Sequence, residues 1–532
     1  LLLHSRIATL LAAVGVAFAL GLDAAALRFG EPMREVLVYN AAFTAVALGG
    51  VWFVASLSSF LFGMAGVLVC ALVTVGTIGP LGRLGVPVLI LPFNMSVLLL
   101  LLAARQRAFD RRPKSVDFLS GTPEENLSHY RTRVARFKSL HPVRFHAPFR
   151  GRWTCTQGID GAHTHKGAWR HAFDFEVTGP NGKLFRGDGT RPEDFYCFRL
   201  PVLAAAAGTV VKVIDDVADN APGQMDLARN WGNLVMLYHA PGIYSLVAHL
   251  ARGSVKVREG QHVRAGDVLG ACGSSGRSPV PHLHFQLQAL PQLGAPTIPC
   301  ELNDVVLCGE GEAAEDRLEL AIAPVEKQTL RNLEYDDDVA ACLRFSFGES
   351  FHLRETGGPS EEILCDVDLY GQQLLRSPGR GASMAHLLGD TLFTAYDVVG
   401  SSTSSLHVLR AAMPRVPLEL GPSLTWSDFL PARYDRPGAI GPLVEMAAPF
   451  LESGGIEVRY RMRREGGRVV VEGESVKKDR RGQPIVKTRA ELLRSAGPMR
   501  AELIIRGTSR VIERTTDSPS LVVNPPAAAA NP

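Results

Sequence analysis

Residues 281–288 read PHLHFQLQ (Pro281–Gln288), an apolar, alternating run that predicts a β-strand. Side chains two apart on a strand point to the same face. His282 and His284 are therefore expected to meet one site, where one imidazole can bind a metal ion and the other can act in catalysis. Upstream, RHAFDFEV (Arg170–Val177) predicts a second strand. In it His171, Phe173 and Phe175 share one face, while Ala172, Asp174 and Glu176 share the other. That alternation argues against His171 and Asp174 joining the same site. His165, in the loop-like GIDGAHTHKGAW, is free to reach Asp174 from outside the strand, with His163 and His171 as its rivals. His249 closes a further strand in SLVAHL.

Two histidines and one carboxylate leave a tetrahedral position open for water, the pattern of a catalytic rather than a structural zinc site. Such a metal lowers the pKa of bound water and polarises a carbonyl. A neutral histidine beside it can serve as general base or hydrogen-bond the developing oxyanion. No serine or thiol nucleophile is required.

The same turn-separated alternation recurs in Val202–Asp215, Asn233–His239 and Ile243–His249, so residues 144–290 are expected to form a mainly antiparallel β domain. Residues 291–517 are also strand-like, in LRFSFGESFHLRE, EEILCDVDLY, IEVRYRMRR and GRVVVEGESV. They predict a β-rich domain, sandwich or barrel-like, and contain no chemical constellation. The tail 518–532, ending VVNPPAAAANP, reads as disordered.

The N-terminal hundred residues differ in kind. Apolar stretches at about Ile7–Leu27, Val36–Ser56, Phe60–Ile78 and Val86–Ala104 are each near the ~20 residues that a bilayer-crossing helix needs. Residues 1–104 are thus expected to form an α-helical membrane domain, able to support oligomerisation and contacting the lipid bilayer. Gly and Ala positions in YNAAFTAVALGG (Tyr39–Gly50) permit close helix packing, and VPVLILPF (Val86–Phe93) carries two prolines that interrupt a helix. Arg105, Arg107, Arg111, Arg112 and Lys114 then open a basic linker, 105–143.

Composition bounds the rest. A chain of 532 residues calls for two to four domains. With 56 Lys and Arg against 53 Asp and Glu, the formal charge of +3 gives no reason to expect a nucleic-acid partner. None of the eight cysteines forms a CxxC pair, which leaves a thiolate metal site unsupported. Cys155 with Cys197, or Cys300 with Cys308, could pair in an oxidising compartment. The chain opens on Leu1 within apolar sequence, as a fragment or processed product does.

These motifs carry two resemblances. TQGIDGAHTHKGAWRHAFDF, PVLAAAAGTVVKV, WGNLVMLYH, YSLVAHL, VREGQHVRAGDVLGACGSSGRS and PHLHFQLQ stand in the order found in lysostaphin-type (LytM-like) zinc metallopeptidases. The resemblance implies one zinc ion held by His165, Asp174 and His284, with His249 and His282 as the catalytic pair. The interval from His165 to Asp174 exceeds the HxxxD spacing of lysostaphin and is similar to family members with a THxG…AxDF arrangement. Glycines 232, 260, 266, 270 and 276 fit turn roles between strands. Separately, VPVLILPF resembles the LPxxTxPF signature of urea transporters, over about one of that family's two inverted repeats. Val86 stands for Leu and Ile90 for the Thr associated with the urea path.

Taken together, these readings imply a membrane-tethered zinc metalloendopeptidase cleaving peptide bonds, in bacterial peptidoglycan by the resemblance. The alternatives are a non-catalytic cell-wall binding or regulatory module, and a urea-transporter-related channel with an accessory soluble domain. The basic residues after the last apolar stretch favour a cytoplasmic location for the region C-terminal to them. The substrate requires the extracytoplasmic side of the bacterial cytoplasmic (inner) membrane, and that side is expected, with a multi-pass anchor.

Overall fold

A computed structural model describes residues 5–31, 33–107, 112–116, 122–137, 143–309, 311, 315–421, 424–431, 446–450 and 455–515. Arg111 and the tail beyond residue 517 lie outside them.

The apolar N-terminal sequence forms α1 (Arg6–Leu22), α2 (Met33–Val46), α3 (Leu57–Arg83) and α4 (Leu91–Arg105). The first two continue as π-helical turns, Asp23–Leu27 and Ala47–Val51. Small residues set the helix spacing: a Cβ at Gly15 would lie 2.6 Å from Ala45 Cβ, and one at Gly66 2.4 Å from a Leu48 methyl carbon. Among the described residues, two helices, Arg6–Leu27 and Leu57–Arg83, are long and apolar enough to cross a membrane. The fourth expected apolar stretch is broken. Between Pro87 and Pro92 the chain turns, with Leu89 at φ 42°, and Asn40 holds the turn. Its Nδ2 donates to Leu89 O at 2.8 Å and its Oδ1 accepts from Phe93 N at 3.0 Å. The 15-residue α4 beyond the turn is about 22 Å long, short of the ~30 Å hydrocarbon layer.

Within the stretch read as a linker lies α5 (Pro123–Arg136), which joins the helical and β regions. Glu124 accepts from Ile7 N at 2.7 Å and Ser5 Oγ at 2.6 Å, so it caps the start of α1. Asn126 Nδ2 donates to Gly50 O and Val51 O. At the other end, Arg136 is buried against Asp428.

The β region begins with β1 (Trp153–Gln157), β2 (Ala172–Glu176), β3 (Pro201–Leu203), β4 (Gly208–Ile214), β5 (Asn233–Ala240), β6 (Ile243–Leu250), β7 (His262–Val263), β8 (Val268–Ala271) and β9 (Leu283–Gln288). Antiparallel pairing runs β1–β2–β9–β6–β5–β4–β7, while β3 pairs with β8 apart from that sheet. One face is the core. Phe173, Phe175, Val247, Leu283, Phe285 and Leu287 are buried there with Phe149 and Trp153. Full burial of each large apolar side chain contributes about 1.5–3 kcal/mol. Asp174 and His284 stand opposite each other in the β2–β9 register and so share the other face.

This sheet does not stop at residue 290. β10 (Val305–Leu307) and β12 (Thr329–Asn332) extend it through β12–β1 pairing, and Cys300, Leu302, Val305 and Leu330 belong to the same core. β11 (Asp316–Glu319) then pairs in parallel with Leu424–Leu430. The strands beyond, Ser350–Glu355 to Thr508–Arg514, make one antiparallel ladder around the buried helix Leu406–Ala412. Neither proposed cysteine pair is formed. All eight thiols are free, and burial pushes that of Cys155 up to about 12, with Asp174 adding to it.

Candidate metal centre

The β2–β9 register places Asp174 beside His284, and the loop after β1 delivers His165. One ligand atom from each of His165, Asp174 and His284 lies within 4.8 Å of the others, and all three residues are buried. Asp174 Oδ1 is the hub. It is 2.8 Å from His284 Nδ1, 3.3 Å from His165 Nε2 and 3.8 Å from His282 Nε2. His163 and His171 are not among the three. His163 lines the cleft, and the His171 amide donates to Thr297 Oγ1.

Hydrogen bonds decide which ring nitrogens are available. A backbone carbonyl only accepts, so a ring nitrogen bonded to one carries the proton. His165 Nδ1 donates to Gly158 O at 3.0 Å, His249 Nδ1 to Ser275 O at 2.8 Å and His282 Nδ1 to Val280 O at 2.9 Å. In the neutral form of each ring, Nε2 is the nitrogen left with its lone pair. For His165 that atom is buried without a hydrogen-bond partner, although a carboxylate oxygen sits 3.3 Å away. A metal ion between the two would satisfy both. Two imidazoles and a carboxylate are the donor set that zinc takes.

Burial and charge compete at each of these groups. Burial alone would raise the Asp174 carboxyl, but His282, His165 and His284 outweigh it and hold it well below the usual carboxylate range. Burial opposes charge on His165, and Asp174 more than offsets it, so this imidazole is raised. His249 is held well below the usual histidine range by burial and then by His282 and His284.

His249 reaches the cluster by an unusual backbone. Along β6, Val247 faces the Phe core and Ala248 packs on the opposite face, so alternation would send His249 back into the core. A left-handed φ of 61° re-aims it instead. Its ring centroid then lies 4.8 Å from that of His282 and 5.8 Å from that of His284. The turn Gly273–Gly276 supplies the carbonyl that holds it. Gly276 has φ 77°, and a Cβ there would meet Gly232 N at 2.3 Å. Glycines 232, 260 and 266 also take positive φ, whereas Gly270 sits inside β8.

Several site residues escaped the sequence reading. Gln157 Oε1 accepts from the amides of His163 and Thr164, which turns its Nε2 toward Asp174 Oδ2 at 2.8 Å. One glutamine thus orients both the carboxylate and the loop bearing His165. Gln286 Oε1 contacts His284 Nε2 at 3.0 Å. Trp231 packs edge-on against His284 with centroids 5.6 Å apart. A signal existed for Gln286 and Gln288: they continue the alternation of His282 and His284 as polar residues in a buried strand. For Gln157 and Trp231 no sequence spacing points to the site. Gln157, Gln286 and Trp231 line a cleft of about 660 Å³ that also includes Trp169, Glu176 and Arg277.

Comparison with known proteins places this cleft in context. Residues 194–296 match the model of Peptidase family M23, a span that includes His249, His282 and His284 but not His165 or Asp174. Residues 1–105 match the Urea transporter family. The chain is 42% identical over 83 residues to DD-carboxypeptidase/endopeptidase Mpg of Neisseria meningitidis serogroup B (strain ATCC BAA-335 / MC58), covering 16% of this chain and 18% of that protein. It is 38% identical over 79 residues to the cell division protein DipM of Caulobacter vibrioides, covering 14% of this chain and 13% of DipM. The chain thus spans less than a fifth of the length of either curated relative. Among solved structures, the catalytic domain of the prophage-encoded M23 protein EnpA from Enterococcus faecalis aligns at 17% identity and a TM-score of 0.21, over 29% of this chain and 94% of that one.

Proposed function

We propose that this protein is a zinc-dependent endopeptidase acting on the peptide bonds of peptidoglycan, held at a membrane by its N-terminal helices. One observation carries the catalytic reading: His165 Nε2, buried without a hydrogen-bond partner, converges with His284 on the Asp174 carboxylate, in a cleft that His249 and His282 also line. The M23 match over residues 194–296 and the two cell-wall relatives support the substrate class. His165, Asp174 and His284 would hold the zinc, which would supply a Lewis acid and a water that ionises near neutral pH.

The chain's own groups do the rest. His282, with Nδ1 tied to Val280 O, offers Nε2 to take the proton of the attacking water and return it to the leaving amine. His249, fixed by Ser275 O and held uncharged by burial, offers a second Nε2 that accepts from and orients that water. Gln157 keeps the carboxylate and the His165 loop in place. A non-catalytic binding module would not need this complete donor set.

The full chain is expected to bind about one zinc ion and to lose hydrolysis of cell-wall peptide on chelation, regaining it with zinc. His282→Ala is expected to lower kcat by about 10²–10⁴-fold while retaining the metal. Zinc-loaded protein inactive across a broad peptide panel would overturn the reading. For the membrane, Leu61, Leu68, Leu72, Leu98, Leu99 and Leu102 form an exposed apolar belt on α3 and α4, as lipid-facing helices do. A reporter fused after Arg112 should read the extracytoplasmic side, where the substrate lies.

A further inference from the structure

Three of the clustered histidines share one device, an Nδ1–H donated to a backbone carbonyl, and His284 does not. Its Nδ1 faces Asp174 at 2.8 Å, and its Nε2 faces Gln286 Oε1 at 3.0 Å. For His284 to serve as a ligand through Nδ1, the proton must reside on Nε2, the reverse of its neighbours. The Asp174 carboxylate, 2.8 Å from Nδ1, draws the proton to that nitrogen, so something must hold it on Nε2 against this pull. Because an amide side chain has one accepting and one donating end, Gln286 imposes it only if its own orientation is fixed.

The next residue on the same strand face fixes it. Gln288 Nε2 donates to Gln292 O at 2.9 Å and to Leu290 O, both backbone carbonyls. Reversing this amide would set oxygen against two carbonyl oxygens, so Gln288 Oε1 must point back along β9. There it accepts from Gln286 Nε2 at 2.9 Å. Gln286 Oε1 is thereby turned to His284. Both glutamines are completely buried in the sheet.

We propose that Gln288 and Gln286 form a one-way amide relay, anchored on the carbonyls of Leu290 and Gln292, that presets His284 as the Nε2–H tautomer with its Nδ1 lone pair aimed at the metal position. The inference rests on the zinc reading and deepens it. Gln286 and Gln288 are positioning residues: neither touches the ligand position, and both act through His284. A neutral relay also adds no second carboxylate beneath Asp174. The relay supports the proposed ligand set through residues that sit two and four positions beyond His284.

The experiment combines a spectroscopic and a binding readout on the full chain. With selective ¹⁵N-histidine labelling of metal-free protein at alkaline pH, His284 is expected to show a protonated Nε2 and an unprotonated Nδ1. An Nδ1–H tautomer overturns the proposal, and this measurement needs no variant that must fold. In chelator competition with zinc alone, Gln286→Leu is expected to weaken affinity by about 10–100-fold, as loss of a ligand's outer partner does. Gln286→Glu, which still accepts from Nε2–H but loses the bond to Gln288 Oε1, should bind zinc more tightly than Gln286→Leu. Gln288→Leu frees the Gln286 amide to reverse and should weaken affinity also. Unchanged zinc affinity in folded Gln286→Leu overturns the relay. If the unmodified chain binds no zinc, the zinc reading fails separately, and the tautomer of metal-free His284 still decides the relay.

Discussion

Asp174→Ala is expected to abolish both zinc retention and peptide hydrolysis, lowering kcat/KM by at least about 10³-fold, since a metal's stabilisation of transition-state charge amounts to several kcal/mol. The size of the effect follows from geometry. Asp174 Oδ1 is the one atom that His165, His282 and His284 all face, at 3.3, 3.8 and 2.8 Å. Its removal would take away a proposed ligand and the negative charge that would draw a cation into a pocket of three imidazoles. Gln157 Nε2 loses one acceptor yet keeps Thr164 Oγ1 at 2.9 Å, so the loop carrying His165 should remain ordered. Metal content and hydrolysis, measured beside circular dichroism, check the prediction. A folded Asp174→Ala chain that still binds zinc and hydrolyses peptide would show that the centre lies elsewhere.

The second large effect concerns stability and lies far from the cleft. Asp428→Ala is expected to destabilise the fold by about 3–5 kcal/mol, the cost of leaving buried charges unpaired. Asp428 takes a two-point contact from Arg136 of α5, Nε to Oδ1 at 2.7 Å and Nη2 to Oδ2 at 3.0 Å. Arg415 Nη1 lies 3.6 Å from the same carboxylate, and none of these side chains is more than 3% exposed. Arg136 also donates to Ala395 O and Pro414 O. Burial and Arg410 pull the Arg136 guanidinium down to about 10, against the pull of Asp428. Without the carboxylate, Arg136 and Arg415 would lose the anion they share.

The pH dependence has a definite sign. Burial opposes ionisation of Asp428, but Arg136 and Arg415 prevail and hold its pKa at about 2, below the ordinary 3.8. Stability from this carboxylate is therefore fully present above about pH 4 and is lost as pH falls through about 2. Denaturant midpoints measured across that window should fall for the unmodified chain and change less for Asp428→Ala. Because Arg136 ends the helix whose Glu124 caps α1, the variant should also loosen α5, read as faster proteolysis near residues 123–136.

Local period was legible in the chain alone. Alternation in RHAFDFEV and PHLHFQLQ places Asp174 and the His282–His284 pair on defined strand faces, because a strand's side-chain direction repeats every two residues. The same periodicity separates them from the Phe173, Phe175 and Phe285 face, and the structure has that separation. Continuous apolar runs marked the N-terminal helices for a related reason: helix length is set by residue count. The break at Leu89 was signalled only by its prolines, and its consequence, a short α4 held by Asn40, depends on a residue about fifty positions away.

The remainder was decided by contacts between segments distant in sequence. His249 leaves the face its period assigns because the Gly273–Gly276 turn presses close enough to capture it with φ 61°. Gln157 becomes part of the site only once β1 lies beside β2. The linker became a strut because Arg136 found a carboxylate 292 positions later, and the sheet passed residue 290 because β12 pairs with β1. Periodicity can say which way a side chain points, but partners for buried polar atoms exist only after the strands are in register. In this protein the residues proposed as ligands could be picked out in the sequence, while their orientation and support were fixed by tertiary packing.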